Sequence, residues 1–128
     1  MLDTELLMTT LRLYVEKNTT LEKVYSPDLP QEKTNIACVT MLGGTPNNSL
    51  CGLSDYDVSF RVLIRGTNND TNSRALADEV FNLLHFARDI ELGEHKIVQI
   101  LATTTPIYVG KDENQNNLYN ITFNCKVS

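Results

Sequence analysis

The 128-residue chain has no tryptophan, only two histidines and no run of basic residues. Its 11 Lys and Arg are scattered among 16 Asp and Glu, for a net charge of -5. Capture of nucleic acid through its phosphates needs clustered cations, so sequence-specific nucleic-acid binding is not expected. No apolar stretch approaches the roughly 20 residues of a membrane-spanning helix, and no membrane association is expected. The opening Met1–Lys17 lacks the basic start and small-residue cleavage site of a secretory signal. The chain is therefore expected to be made, and to stay, in the cytoplasm of its cell. Glycine-rich phosphate cradles of the GxxxxGK[ST] or GxGxxG kind are missing, because Gly43, Gly44 and Gly66 stand apart from any such pattern. The cysteines, Cys38, Cys51 and Cys125, are an odd number without a close pair. They read as reduced thiols, two of them small core residues on strands.

What is present is ordinary globular material. Hydrophobic residues make up 41% and charged residues 21%, which fits one domain over 1–128 with a real core. Residues 3–17 predict a helix capped by Asp3 or Thr4, with Leu6, Leu7, Leu11, Tyr14 and Val15 at helical spacing. Pro27 and Pro30 make the following segment a connection, pinned by Leu21, Val24, Tyr25 and Leu29. A strand is predicted over 36–42, a turn-rich loop over 43–55, and a second strand over 56–66. In that strand Tyr56, Val58, Phe60, Val62 and Ile64 alternate with polar residues. A second helix starts at Asp70 or Thr71 and carries Leu76, Val80, Leu83, Leu84 and Ala87 on one stripe, running through residue 91 until Gly93 closes it. One strand over 95–110, with Pro106 at a bulge or edge, precedes a polar loop over 110–117. Last comes a strand in which Tyr119, Ile121, Phe123, Cys125 and Val127 alternate with polar residues. The expected fold is α+β: a four-stranded, mainly antiparallel sheet of two hairpins, with two helices packed on one face.

Candidate chemistry is sparse. Asp112, Asn114 and Asn116 have the spacing of the first three oxygen ligands of a calcium loop. Asn117 stands where such a loop needs glycine and Phe123 where it needs glutamate, so a solvated hairpin turn is expected and no metal or cofactor. His85 and His95 share no helical turn, and no carboxylate pair sits at metal-ligand spacing with them. A Cys–His pair could form only through the fold, and nothing around the cysteines resembles a nucleophile's setting. Asp55 and Asp57 share a strand face, which more often marks a wet strand end. The chain is therefore not expected to be an enzyme. A terminal strand of about nine residues at a free sheet edge invites aggregation unless something covers it. A closed ring of copies buries such edges without open-ended growth.

Three phrases, "YDVSFRVLIRG" running into "SRALADEVFNLL" and then "TPIYVGKDENQNNLYNITFNCKV", resemble phage minor capsid and tail-terminator proteins over roughly residues 36–127. The resemblance implies a structural protein of the virion, made in the bacterial host. It implies a homo-hexameric ring that caps the tail tube, stops its polymerisation and presents a surface to the head connector, with DNA passing through. The partners expected are copies of itself, the tail-tube protein and the connector. The interface residues expected are Arg61 and Arg65 on the outer strand face, and Asp112, Glu113, Asn114 and Asn116 in the last loop. One of the arginines would pair between subunits. Asp112 and Glu113 would line the channel, where their field keeps passing DNA off the wall. The alternatives are a head-completion protein of the same particle, or a small cytosolic ligand-binding domain or enzyme with a pocket between helices and sheet.

Overall fold

The computed structural model describes residues 2–31, 33–48 and 54–128. Helix α1 (Thr4–Asn18) starts where Asp3 caps it, the Asp3 carboxylate accepting from the Leu6 N–H at 3.1 Å. Leu7, Leu11 and Val15 are fully buried. Tyr14 is half-buried, and Leu6, expected on the buried stripe, turns outward instead. The segment expected to be a plain connection carries a short strand, β1 (Lys23–Tyr25), parallel to β2 (Ile36–Asn48). Leu21 and Val24 are its buried anchors.

β2 and β3 (Ser54–Arg65) form one long antiparallel ladder running from Ile36 opposite Arg65 to Asn48 opposite Ser54. Much of the predicted 43–55 loop is therefore strand, entered through a bulge between Met41 and Gly43. Its Gly, Pro and Asn content hid this, since those residues are depleted in strands. The hairpin also runs past Tyr56, which faces Val127 at the end of the neighbouring strand, so its far part needs no alternating apolar face. The middle of the predicted loop, with Cys51, lies outside the described residues.

Helix α2 (Asp70–Leu84) is capped by the Asn69 side chain and ends well before the predicted residue 91. Phe86 takes a left-handed φ of 67°, and Arg88–Leu92 becomes strand β4, paired with β5 (His95–Ala102). Pairing with β5 overrides the continuing helical stripe, as tertiary context routinely does. Gly93 is consequently the first residue of a two-residue hairpin turn, with φ 59°, rather than a helix cap.

The predicted 95–110 strand is two strands laid end to end. β5 pairs with the C-terminal half of β7 (Asn117–Val127), and β6 (Ile107–Lys111) pairs with its N-terminal half. β3 fills the other edge of β7 from Tyr56 to Arg65. Among the described residues the sheet thus has seven strands in the order β1-β2-β3-β7-β5-β4, with β6 also on β7, and not four. The terminal strand is central rather than a free edge. Alternation reports which face of a strand is buried, and it is blind to whether the edges are paired.

Both helices cover the same face of this sheet. Val58, Phe60, Val62, Ile64, Ile121, Phe123, Ile97 and Ile100 meet Leu7, Leu11, Leu76, Val80 and Leu84 in one buried cluster. Phe60 and Phe123 stack at 5.2 Å between ring centres. Glu79 of α2 ties down the end of α1 by accepting from the Thr20 N–H at 3.0 Å and the Thr20 hydroxyl at 2.6 Å. Cys38 and Cys125 are free, buried thiols on β2 and β7. Burial, then the charge of Asp57, pushes the Cys125 thiol up to about 12, which leaves it unreactive.

Candidate functional site

The outer face of the sheet carries the arginines singled out above, and it treats them differently. Arg61 is exposed. Arg65 is mostly covered and holds two parts of its own chain. Its guanidinium donates to the carbonyl oxygens of Pro30 at 2.6 Å and Lys33 at 3.3 Å, pinning the segment after β1 across the sheet. Its Nε also approaches Asp112 Oδ2 at 3.0 Å, an ion pair without the alignment of a hydrogen bond. The pinned segment crosses where Ile36 and Cys38 stand on the outer side, and this explains their burial.

Asp112 organises the β6–β7 turn. Its Oδ1 accepts from the backbone N–H groups of Asn114 and Asn116, each at 2.9 Å, and Gln115 adopts a left-handed φ of 64°. Burial alone would push this carboxyl up. The N–H groups of Asn116 and Asn114, the Asn116 amide and the Arg65 charge outweigh it and hold the carboxyl below its ordinary range. The calcium-like spacing is therefore spent on a turn, with the carboxylate directed at its own backbone. Glu113 and Asn114 are exposed at the tip, while Asn116 is half-buried. Arg65 and Asp112 meet, and Arg61 and Glu113 stand apart from them on open surface.

Asn117, buried at the start of β7, links the tip to α2. Its backbone C=O accepts from Gly66 N–H, and its N–H and side-chain amide both donate to Thr67 C=O, at 3.0, 3.0 and 3.1 Å. Nearby, the Tyr119 hydroxyl donates to Asp70 at 2.6 Å, and Arg74 pairs with the same carboxylate at 2.7 Å. Burial, then this Asp70 contact, pushes the Tyr119 phenol up. With Tyr108, Lys111 and Asn117 these residues line an open cleft of about 560 Å³ beside β6.

The histidines serve the sheet. The Ala102 N–H donates to Nδ1 of His85 at 3.0 Å, and the His85 ring stacks on Phe81. His95 Nδ1 lies 2.8 Å from the Ser128 carbonyl oxygen. Among the described residues no group of three or more His, Cys, Asp and Glu side chains is placed to hold a metal ion. No helix among them is long and apolar enough to cross a membrane.

The borders of the sheet are the remaining feature, and sequence reasoning missed their layout. Beside β1, the Val24 N–H donates to Glu16 Oε1 at 3.0 Å and the Val24 C=O accepts from Arg12 at 3.4 Å, so α1 closes that edge with side chains. Ser26 donates to Val39 C=O, and Thr40 to Pro27 C=O, both at 2.7 Å. On the opposite border β4 covers the first half of β5, and Phe86 and Ala87 exchange bonds with Ile100 at 2.8 and 2.9 Å. His85 then covers Ala102. Besides the outermost strands β1 and β4, two stretches have no strand on their outer side among the described residues: 41–48 of β2, and β6. On β6, Ile107, Tyr108 and Val109 are 48%, 50% and 55% exposed, an apolar row with no charge before Lys111.

No curated protein sequence matches the chain. Among solved structures, a chain described as virion of native gene transfer agent (GTA) particle has a similar fold. Its TM-score is 0.52 at 16% identity, over 91% of this chain and 83% of that one. At that identity the likeness is one of fold. The family described as bacteriophage tail terminator protein matches residues 10–128, from within α1 to the last residue. That match covers well over half of the sequence: the chain belongs to the bacteriophage tail terminator family and is a phage tail structural protein.

Proposed function

We propose that copies of this protein close into a homo-hexameric ring on the end of the tail tube. There the ring stops the tube's polymerisation and turns its other face to the head connector. The family match carries this reading. The molecule's surface supports it, because its most conspicuous unused groups are strand edges and polar tips rather than converging reactive side chains. In the ring Arg61, exposed on the outer face, contacts a neighbouring copy; at a partly exposed pair that contact is worth no more than about 1 kcal/mol. Glu113 and Asn114, at the exposed tip of the β6–β7 turn, face the channel through which DNA passes. Arg65, Asp112 and Asn116 hold that tip in shape from within the chain. The protein works without catalysis and is made in the host cytoplasm before joining the virion.

The test is polymerisation of the purified tube protein with and without this chain. Tubes are expected to stop lengthening once it is added, with extra density at one end in negative-stain images. Tubes that keep growing at the same rate, with bare ends, contradict the reading. Rings that seat on isolated head connectors and ignore tube ends favour head completion instead.

A further inference from the structure

We infer that neighbouring copies join by strand pairing between two particular edges, β6 of one copy and the open β2 stretch of the next. This rests on the ring reading above and specifies its contact. Free strand edges are templates for pairing, and proteins close those they do not use. Here the closing devices can be named one by one. Glu16 and Arg12 occupy the outward N–H and C=O of Val24 on β1. β4 is guarded by charge and by a kink. Arg88, Asp89 and Glu91 are exposed along it, and Asp89, at a left-handed φ of 58°, has no pair of its own between the Arg88–Gln99 and Ile90–Ile97 pairs, which keep one register. The His85 ring covers Ala102. After all this, β6 is left with three half-exposed apolar side chains in a row, and the 41–48 stretch of β2, interrupted only by the bulge between Met41 and Gly43 and by Pro46, has no strand beside it among the described residues.

These two openings lie on opposite borders of one sheet, which is the arrangement a head-to-tail contact requires. A contact using different patches on each partner generates a ring when its rotation closes. They also lie at diagonal corners. β6 faces residues 117–120 of β7, whereas the far part of the β2–β3 hairpin begins at the Val127 end. Successive copies are therefore staggered along the strand direction, the shear that strands need to close around an axis. The Asp70–Tyr119 cleft adjoins β6 and brings Arg74 and Lys111 to the same border, ready for a polar side chain of the incoming copy.

The contact is small. A five-residue strand with three half-exposed apolar side chains falls short of the roughly 800 Å² per partner of a stable interface. Copies in dilute solution accordingly stay apart. The ring forms where a tube end holds several copies together and raises their effective concentration.

Hydrogen exchange on tube-bound rings tests the pairing. Amides of 107–111 and of 41–45, 47 and 48 are expected to exchange roughly tenfold or more slower in the ring than in the free chain, with Lys23–Tyr25 and Arg88–Leu92 unchanged. The double variant Ile107→Lys/Val109→Lys should melt like the wild-type monomer and fail to form rings, while Glu91→Lys on β4 should form them normally. Slowing confined to β1 or β4, or rings that persist in the double variant, overturns the strand pairing and leaves the ring reading standing. Tube ends that never acquire a ring from the wild-type protein end both. If the double variant melts early as a monomer, the exchange pattern of the wild type decides alone.

Discussion

Phe123→Ala is the sharpest probe of how the last strand is held. Phe123 is completely buried near the middle of β7, stacked on Phe60, with β3 on one side and β5 on the other. Truncating such a ring removes its transfer energy and leaves a cavity, at a cost of about 3–5 kcal/mol. A domain of this size has a total stability of about 5–15 kcal/mol, so about a fifth of it or more would be lost. With an unfolding entropy near 2.1 cal/mol/K per residue, the midpoint should fall by about 11–19 °C. Denaturant and thermal melts measure this, with Lys126→Ala on the exposed side of the same strand as the control. That control should cost no more than about 1 kcal/mol. Because β7 is paired on both sides within one chain, neither value should depend on protein concentration. A Phe123→Ala cost below about 1 kcal/mol, or a midpoint that drops on dilution, would show that the strand completes its core only between chains.

Two further perturbations address the joints around the β6–β7 turn. A Cβ on Gly66 would lie 2.1 Å from Ser73 Oγ and 2.8 Å from Ser73 Cα, so Gly66→Ala must displace the first turn of α2. A loss of about 1–3 kcal/mol is expected, and an unchanged melt would refute the close approach. The second concerns pH. Asp112 is held below its ordinary value of 3.8, so its contribution is complete above that value and disappears as pH falls through the depressed one. The stability gap between the wild type and Asp112→Asn should therefore shrink between about pH 5 and about pH 2, and a constant gap would contradict it.

The parts of this fold legible in the sequence are those whose pattern repeats over enough residues. α1, β3 and β7 each bury one face for two or more turns or pleats, and their periods announce them. β1, β4 and β6 are three to five residues long and exist because a neighbour pairs with them, so no local period marks them. The same blindness placed β7 at an edge and ran α2 on into β4. Among the candidate site residues, the spacing of Asp112, Asn114 and Asn116 suggested calcium ligands, and it was Asn117 and Phe123, where such a loop needs Gly and Glu, that pointed to a turn instead. The pairing of Asp112 with Arg65, and the use of Arg65 to hold Pro30 and Lys33, was not, because those residues are distant in sequence and meet only through the sheet. Border protection by Glu16, Arg12 and His85 is likewise invisible to a linear reading.

If the protein acts by assembling on the tail tube, images of tube ends should reveal it. Averaged electron micrographs of tubes grown with the purified protein are expected to show one ring of six copies on a single end, with no further tube beyond it. Ends that remain bare at saturating protein, or single copies scattered along the tube wall, would contradict it.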